Sequence, residues 1–285
     1  MQLELTKDNL HTYESIKSQI LPFDAMFFRG SDLCSDLISV LEKYQVSSGL
    51  FTHIGVVVTK DILEKCKVDN GYFELEKDKI YLLESTFSYT NSIAGITTGG
   101  DVTTGKGKIG VQLREAEKVI PNYIFNEMTK VAFGPLINNP YRRTLEDTDD
   151  SLSERRKQLK EKFTLFFEDY HQRLYEINAI GLLSAIFPSL RLLRDTRDKI
   201  YEKLWKKIHK KATQTPIVNL QFCSELVGNV YQLIGVISNE FNTKNILPMD
   251  FFGQDYDRLP LIIKDVYYIK DWDLPNKSAI EYNFS

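Results

Sequence analysis

The stretch Asn219-Leu220-Gln221-Phe222-Cys223-Ser224-Glu225-Leu226-Val227-Gly228-Asn229-Val230-Tyr231 decides how the rest of the chain is read. Its apolar positions Leu226, Val227, Val230, Leu233 and Ile234 recur at helical spacing, which predicts a helix to about Ile237 with Cys223 in its first turn. A thiol placed there meets unpaired backbone N–H groups and the positive end of the helix dipole. Both favour the thiolate, the nucleophilic form. Free cysteine is also among the most buried residue types, so the position taken alone reads as a small core residue.

Two segments far upstream change that reading. Phe51–Val58 (FTHIGVVV) is a β-branched run expected to form a buried strand with His53 at its opening. Lys79–Thr86 (KIYLLEST) reads as a second strand with Glu84 at its close. Antiparallel pairing of the two sets the start of one beside the end of the other, so His53 and Glu84 can meet at one sheet edge. Cys223, His53 and Glu84 then supply a nucleophile, a base and an orienting group. A plainer reading makes Glu84 a strand-end carboxylate in a surface ion pair.

Taken in order, "FTHIGVVV", "YLLES" and "FCSELVGNVYQLIGV" resemble the circularly permuted branch of the NlpC-like, papain-fold cysteine hydrolases, which includes YiiX-like and lecithin:retinol acyltransferase-like proteins. In that branch the histidine strand precedes the cysteine helix, the reverse of papain, and this chain has the permuted order. "PFDAMFFRG" is similar to the branch's first strand, "GD-x-hydrophobic", with Phe23 where glycine is usual. "LPMDFF" is similar to its "P-x-D" segment, and the matching pieces cover about a third of the chain. The resemblance implies an α+β, papain-like (permuted NlpC-like) antiparallel sheet packed against the cysteine-bearing helix. Peptide-like amides or lipid acyl groups are the substrate classes it implies.

The chemistry expected is a cysteine hydrolase or acyltransferase that cleaves an amide, ester or thioester through an acyl-enzyme. His53 would take the thiol proton, and Glu84 would accept a hydrogen bond from the other imidazole nitrogen. The backbone N–H of Cys223 is a natural oxyanion donor, and Gln221 and Ser224 are further oxyanion or substrate candidates. Gln221 can equally cap the helix start. The competing class is a catalytically inactive scaffold that keeps the fold and binds a protein or membrane partner.

A chain of 285 residues that is 42% hydrophobic and 12% aromatic can bury a sizeable core, and we expect one domain over 1–285. Its net charge of -3 weighs against nucleic acid as a partner. Cys34, Cys66 and Cys223 are odd in number and lack a Cys-x-x-Cys pair, which suits a reducing, intracellular compartment. The acidic opening does not read as a signal peptide, so a cytoplasmic location is expected. The abundance of Asn, Lys, Ile, Tyr and Phe suits an AT-rich bacterial or viral source. No histidine cluster has metal-ligand spacing, so neither a metal nor a cofactor is expected. His11, His171 and His209 are assigned to the surface.

Residues 7–20 are expected to form a helix, and Asp24–Phe28 the first strand. The Gly-rich stretch from Ser88 to Lys108 lacks the spacing of a nucleotide loop and reads as a mobile loop beside the site. Asn138–Ser153 reads as an exposed polar linker, opening a helical insertion over residues 140–212. Its Leu152–Glu176 segment is amphipathic, with Leu159, Phe163, Phe166 and Phe167 on one face. In residues 179–211 an apolar stretch leads into a basic helix whose nine Lys and Arg face three acidic residues. That pattern can lie on an anionic membrane surface or meet a protein partner. The preferred reading packs the apolar part on the core and leaves the charges as a solvated face.

Overall fold

The structure is a computed structural model that describes residues 10–29, 51–68, 71–86, 100–103, 110–124, 131–171, 222–252 and 262–271. Gln221, Cys34, His209 and the whole of 179–211 lie outside the described residues. Strands β1 (Leu10–Thr12), β2 (Ala25–Phe28), β3 (His53–Val58), β6 (Tyr81–Thr86), β7 (Gly110–Glu115), β8 (Val131–Gly134) and β9 (Tyr267–Asp271) form one sheet. Its order is β1-β9-β8-β2-β3-β6-β7, and every pair is antiparallel except β1 with β9. A hairpin of β4 (Lys65–Val68) and β5 (Gly71–Glu74) stands beside it. The fold is therefore α+β.

The helices among the described residues are α1 (Tyr13–Lys17), α2 (Ala116–Ile124), α3 (Asp149–Tyr170) and α4 (Cys223–Leu233). The central strands are nearly all apolar because both faces are covered. One face carries Phe27, Ile54, Val56, Val58, Leu83 and Leu113 into a large core with Leu226, Val227 and Val230 of α4. The other carries Met26, Phe28, Val57 and Leu82 into a smaller core with Tyr13, Val119 and Ile120. Strand alternation accounts for the split, since neighbouring residues of β3 fall into opposite clusters.

The turn into β2 is built around Phe23 and Asp24. Phe23 has φ +72°, the left-handed region that favours glycine. That conformation costs a β-carbon about 1–2 kcal/mol. Complete burial of the ring, edge-to-face on Phe163 of α3, contributes about 2–3 kcal/mol in return. Asp24 is fully buried and accepts hydrogen bonds from the backbone N–H groups of Leu21 and Leu136 and from Asn139 Nδ2. Burial pushes its carboxyl up to about 6 against those three donors.

Three sequence expectations change here. Residues 7–20 do not form one helix: Leu10–Thr12 joins the sheet beside β9, a pairing with no local signal, and Thr12 then caps the short α1. Asn138–Ser153 is not simply an exposed linker, because Asn139 and Tyr141 are buried, Asn139 donating to Pro22 O and Asp24. The cysteine helix stops at Leu233 rather than Ile237, since Gly235 takes φ +78° and lets Val236 and Ile237 donate back to Tyr231 O.

The start of the expected insertion is ordinary core material. A capping box between Thr148 and Ser151 opens α3, and Leu152, Leu159, Phe163, Phe166 and Phe167 are its buried face. His171, at its C-terminal cap, is not the surface residue that the sequence reading expected. It is 3% exposed, stacks on Phe167 and bonds Asp101 at 2.9 Å, so the last turn of α3 is tied to the segment preceding β7. No described helix is long and apolar enough to cross a membrane.

Candidate active site

Cys223 and His53 each open a regular element, and Glu84 lies within β6. Register in the β3–β6 ladder runs Val56↔Leu83, Val57↔Leu82, Val58↔Tyr81, and one further step sets Gly55 beside Glu84. Residues two apart on a strand share a side, so Glu84 lies diagonal to His53 across Gly55. Glycine leaves room for the first carbon of the Glu84 side chain. A β-carbon at position 55 would stand 3.3 Å from Glu84 Cβ, tighter than ordinary packing. Glu84 Oε2 accordingly reaches His53 Nε2 at 2.6 Å.

The carboxylate cannot easily give way, because its other oxygen is also held. Arg114 Nη1 donates to Glu84 Oε1 at 2.7 Å, and both side chains are buried, at 3% and 0% exposure. Gly55→Ala is therefore expected to destabilise the protein by about 1–3 kcal/mol, as overpacking does. Chemical denaturation measures this, and an unchanged midpoint would show that the ladder widens freely at this point.

Cys223 opens α4 directly after Phe222, an N-cap residue whose side chain makes no capping hydrogen bond. The first backbone bond of the helix is Leu226 N to Phe222 O, so Cys223, Ser224 and Glu225 contribute first-turn N–H groups that no residue of the helix itself can accept. Cys223 is 3% exposed, and its sulfur is near enough to the His53 ring to hydrogen-bond it. With Nε2 turned to Glu84, Nδ1 is the nitrogen left for the thiol.

Electrostatics follow from this series. Burial works against a charged imidazole, but the negative charge of Cys223, its hydrogen bond and the Glu84 carboxylate outweigh burial and push His53 up to about 10. Burial likewise works against the Glu84 carboxylate. Arg114 and His53 overcome it and hold the group down at about 2.

Of the other sequence candidates, Ser224 is buried and spends its hydroxyl proton on Ile246 O at 2.6 Å, tying α4 to the turn at Thr243–Asn245. Gln221 lies outside the described residues. Asp250, from the segment "LPMDFF", accepts from Leu247 N at 2.8 Å at the start of the short 3-10 helix Pro248–Phe252. Arg114 is the residue that sequence reading missed. Its only signal was a charged position within the β7 run, which an isolated strand cannot distinguish from a solvent-facing residue.

Among the described residues, no group of three or more His, Cys, Asp or Glu is placed to hold a metal ion. The buried pair His171 and Asp101 shares its environment with Thr103, whose hydroxyl donates to Asp101 at 2.8 Å. No protein-family model matches the chain, and no curated protein matches it.

Proposed function

We propose that this protein is a cysteine hydrolase or acyltransferase of the permuted NlpC-like, papain-fold kind, with Cys223 as nucleophile, His53 as proton carrier and Glu84 as the group that orients the imidazole. The observation that carries this reading is the continuous series from the Cys223 sulfur through the His53 ring to the Glu84 carboxylate. Three separate elements converge on it, and a core cysteine has no need of a buried histidine and carboxylate. Phe23 in a glycine conformation, followed by the buried Asp24, is a further point of likeness to the family's opening motif.

In the reactive form of the pair His53 has taken the thiol proton, leaving the charge on sulfur. The thiolate attacks a carbonyl carbon, forming a C–S bond, and the oxyanion that develops faces the first-turn N–H of Cys223. Imidazolium then gives its proton to the departing nitrogen, oxygen or sulfur as the carbonyl bond to that atom breaks. A thioester to Cys223 remains. Water, an amine or an alcohol next loses a proton to His53, attacks the thioester and restores the thiol pair; water completes hydrolysis and the others complete transfer.

Incubation with activated amide, ester and thioester probes, followed by intact-mass measurement, should trap an acyl adduct on the wild-type chain and none on Cys223→Ala. Peptide-like and long-chain acyl probes, tested side by side, separate the two substrate classes. Absence of an adduct with all of them would overturn the catalytic reading and leave a binding protein.

A further inference from the structure

The proposed triad ends on a carboxylate that has no access to water, and that carboxylate has a partner of its own. Glu84 is 0% exposed, and its two oxygens are divided: Oε2 to His53 at 2.6 Å, Oε1 to Arg114 at 2.7 Å. Arg114 reaches it from β7, where Gln112 pairs with Glu84 and residue 114 is the next on the same side. From sulfur to guanidinium, four groups on four elements (α4, β3, β6 and β7) can alternate in charge, which leaves the buried series neutral.

We infer that Arg114 is a positioning residue of this site: it keeps Glu84 ionised in a buried place and commits one carboxylate oxygen to His53, thereby turning the other imidazole nitrogen to Cys223. The inference rests on the functional reading above and extends it by a fourth residue. Burial alone favours a protonated Glu84, and a protonated carboxyl would offer His53 a weaker acceptor or compete as a donor. The guanidinium offsets that burial. Holding Oε1 in a buried, charge-assisted hydrogen bond also limits the rotation of the carboxylate and so the direction of Oε2. Charged groups bearing on Glu84 are Arg114 and His53; those bearing on His53 are Glu84 and Cys223.

The test uses the full chain carrying Arg114→Gln or Arg114→Lys. In the wild type, the strongly hydrogen-bonded imidazole proton between His53 and Glu84 should give a downfield NMR signal, assigned by its loss in His53→Gln, that persists into acid. In Arg114→Gln the pH at which this signal is lost should rise by about 1–3 units, the size of effect an adjacent opposite charge has on a carboxylate. The acid limb of Cys223 alkylation should rise with it. Arg114→Lys, which restores charge without the fork, should give a smaller rise. In Glu84→Gln the identity of residue 114 should cease to affect the acid limb.

A folded Arg114→Gln protein with a wild-type signal and acid limb would overturn the inference and leave Arg114 as a structural ion pair. If that variant does not fold, an unmoved signal in Arg114→Lys does the same. Because the proton signal exists whether or not Cys223 reacts, the functional reading fails separately, through a wild-type Cys223 that alkylates like an ordinary thiol.

Discussion

Substituting His53 with alanine is expected to slow alkylation of Cys223 by iodoacetamide about 10²-fold at pH 6. An ordinary thiol, with a pKa of ~8.5, is only about 0.3% thiolate at that pH, whereas a thiol paired with a protonated imidazole reacts as thiolate throughout. The imidazole is pushed up to about 10, so in the wild type it stays protonated across the whole range in which a free histidine would lose its charge. If the pair works as proposed, the wild-type rate should therefore rise less steeply with pH than that of an isolated thiol. In His53→Ala it should climb about tenfold per pH unit until the isolated thiol has ionised.

Peptide mapping by mass spectrometry assigns the label to Cys223 and removes Cys34 and Cys66 from the measurement. Turnover on any amide substrate should fall by about 10²–10⁴-fold, the usual contribution of one general acid–base group. His53→Ala leaves no buried charge unmatched elsewhere, because Glu84 keeps Arg114. Loss of folding is thus not the expected cause of the lost reactivity. A rate and pH profile the same as the wild type's would sink the nucleophile–base pair outright.

What the sequence disclosed of this site, and what it withheld, divides along the range of the interactions. Cys223 at a helix start, His53 at a strand opening and Glu84 in an adjoining strand were all legible, because each depends on periodicity within a dozen residues. The meeting of His53 with Glu84 depended only on β3 and β6 pairing antiparallel, a frequent arrangement for strands close in the chain, whereas the approach of Cys223 needs α4 to pack on that sheet and came only from the family resemblance. Arg114 was not legible. Its membership depends on β7 pairing with β6 in one register, and a shift of one residue would turn the guanidinium to the other side of the sheet. The burial of His171 against Asp101, and the pairing of Leu10–Thr12 with β9, are tertiary in the same sense. Composition around His171 is charged and gives no hint of a buried partner 70 positions earlier.

The stability of the site should prove as sensitive as its chemistry, and Glu84→Ala is the substitution that exposes this. It removes the acceptor shared by Arg114 and His53, and takes from a guanidinium 3% exposed the carboxylate it bonds at 2.7 Å. Breaking a buried ion pair from one side costs about 3–5 kcal/mol, a large fraction of the total stability of a typical domain. Chemical denaturation should show that loss at pH 7. The double variant Glu84→Met/Arg114→Leu should recover most of it, because the buried charge disappears with its partner. The pH dependence gives an independent check on the cause. Glu84 is depressed from 4.5 to about 2, so its contribution is present above 4.5 and is lost as pH falls through about 2. His53 is raised from 6.5 to about 10, so its contribution is complete below 6.5 and is lost as pH rises through about 10. Wild-type stability should accordingly lose the Glu84 contribution at the acid end and the His53 contribution at the alkaline end, and Glu84→Ala should flatten the acid arm and shorten the alkaline one. A single variant as stable as the wild type, with both arms intact, would mean that Arg114 and His53 find other counter-charges and that Glu84 is dispensable to the fold.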